Sequence, residues 1–226
     1  MLVNGREVLA WAVSRHCAAA SFNTYDLALT RAIIAAAEAE DTPIFLAAGA
    51  GALDHAGFEL LSAVVLAAAE QAAVPVAVHL DHATDPALVE RAVAAGFSSV
   101  MVDGSVLAFE QNVALLQAAR PAVGPWALEG ELGGVGGSED RAASQHSDVP
   151  LTDPDEAAAF AERTGIDSLA VAIGNAHGVY KGEPRLDLDR LAAIDGVAGA
   201  AGAARRLGHT GWSDRACIER GCARST

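Results

Sequence analysis

Short apolar runs alternate along the chain with longer alanine-rich stretches whose apolar residues have helical spacing. Six of these runs end in polar or glycine residues and are nearly continuous in hydrophobicity, as expected for strands with helices on one face and a core on the other. The alternation predicts βα units and a parallel sheet, and it disfavours an antiparallel sandwich. The predicted strands are residues 17–23, 43–49, 76–82, 99–105, 126–133 and 168–174.

Two of the predicted helices are delimited by capping residues. Asp85 is followed by proline and Gly96 stands after the last apolar position, which is typical of a helix between them. Asp153, again followed by proline, begins a second helix that should end at Gly165. Each helix returns the chain to the same side of the sheet, so we expect polar residues at the carboxyl ends of successive strands to meet on one rim of a barrel.

Composition narrows the classes of protein that fit this pattern. The 226 residues are 52% hydrophobic and 19% charged, which is enough apolar chain for one large domain. The formal net charge of -14 would repel nucleic-acid phosphates and anionic lipid, so we expect neither nucleic acid nor a membrane as a partner. Three scattered cysteines, the lack of a basic, apolar leader and an apolar stretch that stops at Glu70 favour a cytoplasmic protein.

The third predicted strand ends in a histidine and carboxylate cluster, His79-Leu80-Asp81-His82. Strand alternation places His79 and Asp81 on one face, with His82 on the other side of the pleat or turned with the first loop residue. Two imidazoles and a carboxylate at a strand end suit a metal site or acid–base chemistry. Within an apolar strand, His79 is more typical of a hydrogen-bonded core residue, whereas the position of His82 at the rim favours a functional role.

The fourth and fifth strands also end in carboxylates. Asp103-Gly104-Ser105 follows the fourth strand, where a turn-forming Asp-Gly pair is the structural alternative. Glu129 and Glu131 are two residues apart on the fifth strand and therefore share a face. Burying both without a cation would force proton sharing or a raised pKa, so a nearby cation is the simpler explanation.

Two glycine-rich segments follow the fifth and sixth strands. Residues 130–150 contain five glycines and then a polar run, which indicates either a solvated connection or a lid. Residues 173–182 place His177 among glycines with Lys181 nearby. Glycine N–H groups beside a lysine suit a phosphate, although a plain glycine-rich turn explains the same residues.

In combination, these motifs resemble the class II, zinc-dependent ketose-bisphosphate aldolases, the fructose- and tagatose-bisphosphate aldolase group. The resemblance extends from Met1 to about Val197 and includes Ser21-Phe22-Asn23 on the first strand. It implies a TIM-type (β/α)8 barrel. It also implies reversible aldol cleavage of a ketose 1,6-bisphosphate to dihydroxyacetone phosphate and glyceraldehyde 3-phosphate.

The resemblance also implies a metal centre. His82 and His177 would be zinc ligands, Glu131 would hold a second metal position, and Asp103 would act as a ligand's hydrogen-bond partner or a structural acid. Cleaving a carbon–carbon bond beside a carbonyl leaves an enediolate, whose charge zinc stabilises as a Lewis acid without a Schiff-base lysine.

Substrate-handling roles follow from the same resemblance. Asp81 would protonate the aldehyde oxygen, Glu139 on the glycine-rich loop would move a proton at the enediolate carbon, and Asn23 would touch the substrate. A loop glutamate that arrives as a lid closes would keep water from the carbanion. The loop for phosphate and a monovalent cation would contain Gly178, Lys181 and Gly182.

The sequence departs from the family after residue 197. The family places its third zinc histidine in a His-Gly-Gly/Ala-Ser-Gly loop after strand seven, and here residues 199–208 are Gly-Ala-Ala-Gly-Ala-Ala-Arg-Arg-Leu-Gly. We therefore expect an incomplete barrel of about six in-register βα units over residues 1–197, with strands seven and eight missing or scrambled. The edges of strands one and six would be exposed, residues 198–226 would be a divergent tail, and activity would be impaired. His209 in that tail is a candidate replacement ligand.

A frameshift explains this departure. If the ten codons of residues 199–208 are read one base later, suitable codon choices give Val-Pro-Leu-Val-Leu-His-Gly-Ala-Ser-Gly, the absent strand and loop. Residues 214–221 again resemble the family's next helix. The underlying DNA tests this hypothesis, which is wrong if codons 199–208 cannot yield the shifted peptide.

Three functions remain open from the sequence. The first is a zinc-dependent aldolase that is impaired by its altered end. The second is a non-catalytic, aldolase-like scaffold or partner-stabilising subunit, and the third is another phosphosugar barrel enzyme, which the His82, His177 and Glu139 set fits less well. Fructose and tagatose bisphosphate are equally open as substrates, and the family's dimers favour a homo-oligomer, a dimer or a tetramer. Three further histidines receive no role: His16, His55 and His146.

Overall fold

The structure is a computed structural model that describes residues 1–134, 150–175, 185–198, 204–207 and 222–225, the last two segments as backbone only. The strands are β1 (Ala19–Asn23), β2 (Ile44–Gly49), β3 (Val76–Ala83), β4 (Ser99–Val102), β5 (Ala127–Leu132), β6 (Ser168–Val171), β7 (Ala204–Leu207) and β8 (Cys222–Ser225). The helices are α1 (Gly5–Ser14), α2 (Leu27–Ala39), α3 (Ala50–Ala56), α4 (Phe58–Gln71), α5 (Pro86–Ala95), α6 (Phe109–Val123), α7 (Pro154–Thr164) and α8 (Leu188–Ala198).

The eight strands form a closed parallel barrel in which each strand pairs with its neighbours in chain order. The six predicted strands all form, and helices follow them as the alternation of apolar runs indicated. The expectation of a TIM-type α/β barrel with six βα units is therefore confirmed. The carboxyl ends of the strands consequently lie on one rim.

The last two strands differ from our expectation. We predicted that strands seven and eight would be missing or scrambled and that β1 and β6 would have exposed edges. Instead, β7 pairs with β6, and β8 pairs with both β7 and β1. Ladder hydrogen bonds use main-chain groups, so two four-residue segments close the barrel although their sequences lack the long apolar runs of the first six strands.

Local capping fixes the ends of several helices. The Asp85 side chain accepts from the Ala87 amide before α5, and Gly96 ends that helix in the left-handed conformation. Asp153 and Gly165 have the same roles for α7, so both predicted helices are confirmed. At the start of the chain, the Asn4 side chain caps α1 in a capping box with Glu7, a feature that the strand pattern did not indicate.

The side of the strands that faces the helices is the main hydrophobic core. Val76, Val78 and Leu80 of β3 are fully buried there, and equivalent residues of the other strands pack against the helices around them. At Gly130 the helix layer comes especially close, because a Cβ there would lie 2.8 Å from the Phe160 ring. Glycine is therefore required between the two glutamates of β5.

Helix α1 fills the lower end of the barrel, where the strands begin. Its buried residues Val8, Leu9 and Ala12 pack against Phe45 and Ala77 on the inner faces of β2 and β3. An ion pair ties this helix to the loop before β6, with Arg6 Nε 2.7 Å from Asp167 Oδ1. The lower interior is thus closed and largely apolar.

The longest helices among the described residues are α6 and α4, with 15 and 14 residues. No single helix there is long and apolar enough to cross a bilayer. Helices α3 and α4 would be long and apolar enough together, but the chain bends by 109° between them, at Gly57.

Candidate metal centre

Three potential metal ligands meet at the upper rim of the barrel. His82 lies at the end of β3, Asp103 follows β4, and Glu131 lies near the end of β5. One ligand atom of each residue lies within 4.8 Å of the other two. His82 Nδ1 is 2.9 Å from Asp103 Oδ2 and 3.7 Å from Glu131 Oε2. Neighbouring strands of a parallel barrel therefore bring together residues that are far apart in the sequence.

An irregularity in β3 aims His82 at this cluster. Leu80 pairs with Val100 and Ala83 pairs with Val102, so β3 uses one more residue than β4 over the same length. This is the signature of a β-bulge, and His82 within it has a φ of 50°. Such a left-handed backbone is strained for a non-glycine residue. The bulge turns His82 inward beside Asp81, which was the second of the two arrangements that the sequence left open.

Hydrogen bonding fixes the charge of Asp103 and the tautomer of His82. Burial disfavours the Asp103 carboxylate, but hydrogen bonds from His82 and Ser105 outweigh burial and lower its pKa to about 2. The carboxylate is therefore ionised near neutral pH and can only accept, so His82 donates its Nδ1 proton. In the neutral imidazole the lone pair then lies on Nε2, which is the arrangement of a histidine that ligates a metal through Nε2.

Asp103 also has the turn role that the sequence suggested. Its Oδ1 accepts from the Ser105 amide at 2.9 Å, which is an Asx turn. The two explanations of Asp103-Gly104-Ser105 therefore hold together. One carboxylate oxygen shapes the loop and the other orients His82.

A second polar group lies directly beneath the rim. Asp81 is 1% exposed, and its Oδ2 accepts from Asn23 Nδ2 at 3.4 Å. Its Oδ1 is 3.4 Å from His79 Nε2, so His79 and Asp81 share a face as predicted. His79 is fully buried and its Nδ1 lies 2.7 Å from Ser99 Oγ, which agrees with its interpretation as a hydrogen-bonded core histidine. Asp81 is thus held between the first and third strands.

The two glutamates of β5 both face the barrel interior, as their spacing indicated. Glu129 is 1% exposed with Oε2 3.9 Å from His79 Nε2, and Glu131 is 3% exposed. Glu131 joins the upper cluster, whereas Glu129 faces the deeper histidine. We expected one site for the pair, but the two glutamates lie at different depths of the barrel interior, and only Glu131 belongs to the rim cluster.

The structure thus brings part of the predicted site together. Asn23, Asp81, His82, Asp103 and Glu131 gather at one rim. The remaining predicted positions lie outside the described residues, and their roles stay predictions: Glu139, His177, Gly178, Lys181, Gly182 and His209.

Sequence reasoning missed two side chains that support the cluster. Ser99 faces inward at the base of β4 and contacts His79. Asn112 is 1% exposed on α6 and donates Nδ2–H to the Glu131 carbonyl oxygen at 2.8 Å. A polar residue beside the buried apolar stripe of α6, next to Val113, was the available indication.

The donor set fits a divalent cation. His82 Nε2 and the Glu131 carboxylate supply a borderline and a hard donor atom, and Asp103, with a pKa of about 2, orients the imidazole through the Nδ1 hydrogen bond. Glu131 and the other inward carboxylates are also buried, where a cation offsets their charge. The geometry therefore supports a metal centre on its own.

Comparison with known proteins agrees with this geometry. The family model of fructose-bisphosphate aldolase class-II matches residues 3–207. The chain belongs to the class-II fructose-bisphosphate aldolase family. Aldolases of this class are generally metal-dependent lyases, so family membership and the rim cluster point to the same type of centre.

Two curated aldolases illustrate the family relationship. The chain is 45% identical over 200 residues to a fructose-bisphosphate aldolase of Thermus caldophilus, covering 86% of this chain and 65% of the relative. It is 36% identical over 194 residues to a sulfofructosephosphate aldolase of Alkalicoccus urumqiensis, covering 85% of this chain and 68% of the relative. The chain thus spans about two thirds of the length of these aldolases.

Solved aldolase structures share the fold. The YdjI aldolase of Escherichia coli K12 superposes with a TM-score of 0.86 at 34% identity, covering 100% of this chain and 81% of that one. A putative fructose-1,6-biphosphate aldolase from Coccidioides immitis gives a TM-score of 0.87 at 32% identity, covering 98% and 80%. A fructose-bisphosphate aldolase from Campylobacter jejuni, at 22% identity and a TM-score of 0.76, supports the fold alone, covering 99% and 76%.

Proposed function

We propose that the protein catalyses the zinc-dependent, reversible aldol cleavage of a ketose 1,6-bisphosphate to dihydroxyacetone phosphate and glyceraldehyde 3-phosphate. The observation that carries this proposal is the meeting of His82, Asp103 and Glu131 at the rim, directly beside Asp81, in a chain of the class-II aldolase family. The metal centre and a proton donor are the two parts that this cleavage requires.

Zinc is the proposed metal, and His82 with His177 the proposed imidazole ligands. Glu131 would hold a second metal position, and Asp103 would orient His82 through the hydrogen bond to Nδ1. When bound, the metal supplies Lewis-acid stabilisation of the negative charge that develops on the substrate oxygen. A monovalent cation is proposed near the phosphate loop of Gly178, Lys181 and Gly182.

Asp81 is the proposed proton donor to the aldehyde oxygen in the condensation direction and the acceptor of that proton in cleavage. Its carboxyl group is oriented from both sides, by Asn23 Nδ2 and by His79 Nε2, so it requires little rearrangement when substrate arrives. Asn23 lies at the same rim, where we propose that it also contacts substrate. Glu139 is proposed to move the proton at the enediolate carbon.

Three substrates deserve direct comparison. Fructose bisphosphate is named by the family and by the Thermus caldophilus relative, and we take it as the 1,6-bisphosphate, from which tagatose 1,6-bisphosphate differs only at C4. The sulfofructosephosphate aldolase relative adds a sulfonated ketose phosphate. All are anionic ketose phosphates, and Asp81 and the metal act on groups that the three have in common.

The end of the chain leads us to propose impaired cleavage. Residues 199–208 stand where the family's third metal histidine is expected, and two histidine ligands bind zinc less tightly than three. We further propose that residues 1–197 are the aldolase-like barrel, that residues 198–226 are a divergent part of the same domain, and that the protein is a cytoplasmic homo-oligomer acting in carbohydrate metabolism.

A chelator experiment tests the proposal. Purified protein is assayed with each of the three substrates before chelation, after removal of metal, and after Zn²⁺ is restored, with triose phosphate release as the measurement. We expect slow cleavage that chelation abolishes and Zn²⁺ restores. Turnover that is insensitive to chelation would contradict the zinc mechanism.

A matched variant separates the enzyme from the scaffold alternative. His82→Ala should lose both bound zinc and cleavage while keeping the far-ultraviolet circular dichroism of the parent chain. If the parent chain binds no zinc, shows no cleavage and co-purifies with a stoichiometric partner, the scaffold function replaces the proposal.

A further inference from the structure

Asn112 connects two of the elements that carry the metal cluster. It lies on α6, the helix between β4 and β5, and is 1% exposed. Its Nδ2 donates to the main-chain oxygen of Glu131 at 2.8 Å. Because a carbonyl oxygen can only accept, the orientation of the amide is fixed by this contact, and Oδ1 must point the other way.

The other end of the amide packs on the loop that carries Asp103. A Cβ added to Gly104 would overlap Asn112 Oδ1 and lie 2.8 Å from Asn112 Cγ. Glycine at this position therefore leaves the space that the amide occupies. Among the described residues, Asn112 Oδ1 has no hydrogen-bond partner. Burying this oxygen without a partner lowers the stability of the fold.

At Glu131 the β5 main chain pairs with β6 but lies beyond its ladder with β4. Strand β4 ends at Val102, which is paired with Gly130, whereas β5 continues past its last partner on β4 to Leu132. Glu131 is the first residue of β5 beyond the last β4 pair. The Asn112 amide supplies a hydrogen bond to the β5 backbone where that ladder has ended.

We propose that Asn112 is a positioning residue for the metal centre. From helix α6, outside the barrel, it fixes the position of the Glu131 main chain relative to the Asp103–Gly104 loop. This inference rests on the proposed metal centre. The amide contacts the main chain of Glu131 and not its carboxylate, so its effect reaches the cluster through the placement of Asp103 and Glu131. Residues that orient ligands in this way typically change metal affinity about 10- to 100-fold when they are replaced.

The test measures Zn²⁺ affinity by competition with a chromogenic chelator, with the visible spectrum of the Co²⁺-loaded protein as a second measurement. Asn112→Ala should raise the Zn²⁺ dissociation constant at least about tenfold and alter the Co²⁺ spectrum. Val113→Ala is the matched control, since Val113 is equally buried and adjacent on α6. It should lower stability while leaving the dissociation constant within about twofold, because core packing away from the ligands changes affinity little.

Gly104→Ala provides an independent variant that displaces the amide without removing it. We expect it to weaken Zn²⁺ binding as well, and to cost much less when combined with Asn112→Ala, because the Asn112 Cγ and Oδ1 atoms that the new methyl group meets are then absent. If Asn112→Ala fails to fold, weakened binding by Gly104→Ala alone supports the proposal, and unchanged binding refutes it.

The outcomes distinguish this inference from the proposed function. Unchanged Zn²⁺ affinity in folded Asn112→Ala overturns the positioning role while the metal centre stands. Equal weakening by Val113→Ala also overturns it, because general loosening of α6 then explains the effect. A parent chain that binds no Zn²⁺ overturns the metal centre itself and the positioning role with it.

Discussion

The lower and upper halves of the barrel interior are equally buried but differ in chemistry. In the lower half, Val8, Leu9 and Ala12 of α1 pack against apolar residues of β2 and β3. In the upper half, His79, Asp81, Glu129 and Glu131 are between 0% and 3% exposed. Burial stabilises the fold in the first case, whereas in the second it places imidazole and carboxylate groups where water no longer solvates them.

This difference shows what each half contributes. Apolar burial is favourable by about 25 cal/mol per Å², so the apolar residues of the lower half are explained by their contribution to stability. Buried carboxylates stabilise a protein poorly unless they are paired or bind a cation. The upper half is therefore best explained by the chemistry at its rim, and substitutions in the two halves should affect different quantities.

The largest effect should come from the upper half. Asp81→Asn keeps the size of the side chain but removes the proton donor, so cleavage of the preferred bisphosphate should fall about 10²- to 10⁴-fold. The measurement is kcat with metal content determined in parallel. Asp167→Asn is the control, an aspartate at the lower end that should keep its activity. Similar losses in both variants would contradict the division between the halves.

A core substitution in the lower half should affect stability instead. Leu9→Ala removes most of a buried side chain beneath the barrel, so the free energy of unfolding should fall by about 3 kcal/mol. For a chain of this size the melting temperature should drop by roughly 6–12 °C. Urea and thermal unfolding provide the measurement. A tenfold loss of kcat at 25 °C in the folded variant would show that the lower half is not independent of the rim.

The strained backbone of His82 provides a smaller test. With a φ of 50°, glycine is favoured over alanine at this position, so metal-free His82→Gly should be about 1 kcal/mol more stable than metal-free His82→Ala. Both variants lack the imidazole, so the difference isolates the backbone. Equal urea midpoints and slopes for the two variants would indicate that the bulge relaxes when the side chain is removed.

The smallest effect is expected at the ion pair between α1 and the barrel. Arg6 and Asp167 form a two-point contact, but their side chains are 42% and 21% exposed. Arg6→Gln should therefore cost about 1 kcal/mol or less, and the loss should shrink at high salt. Unfolding in low and high salt measures this. A cost that is independent of salt would point to packing of the arginine stem.

Much of the fold followed from the sequence because its signals are local. Apolar runs gave six strands, and Asp85, Gly96, Asp153 and Gly165 marked helix ends through interactions within a few residues. The shared face of Glu129 and Glu131 followed from strand alternation in the same way. The motifs at the strand ends were sufficient to indicate the family.

The remaining features depend on contacts between distant parts of the chain. The pairing of β7 and β8 uses main-chain groups that carry no side-chain pattern. The bulge that turns His82 inward is defined by the register of β3 against β4. Asn112 is one of several polar residues of α6, and only the structure shows that it contacts Glu131. Local sequence pattern does not encode these relationships.

Helix α1 closes the lower end of the barrel, and this limits the routes by which a small molecule can reach the rim. Val8, Leu9 and Ala12 close the lower end, and the buried side chains of His79 and Glu129 fill the interior above them, so in the described part of the barrel a ligand reaches Asp81 and His82 from the upper rim. Under the proposed cleavage, both products would leave through the opening at this rim.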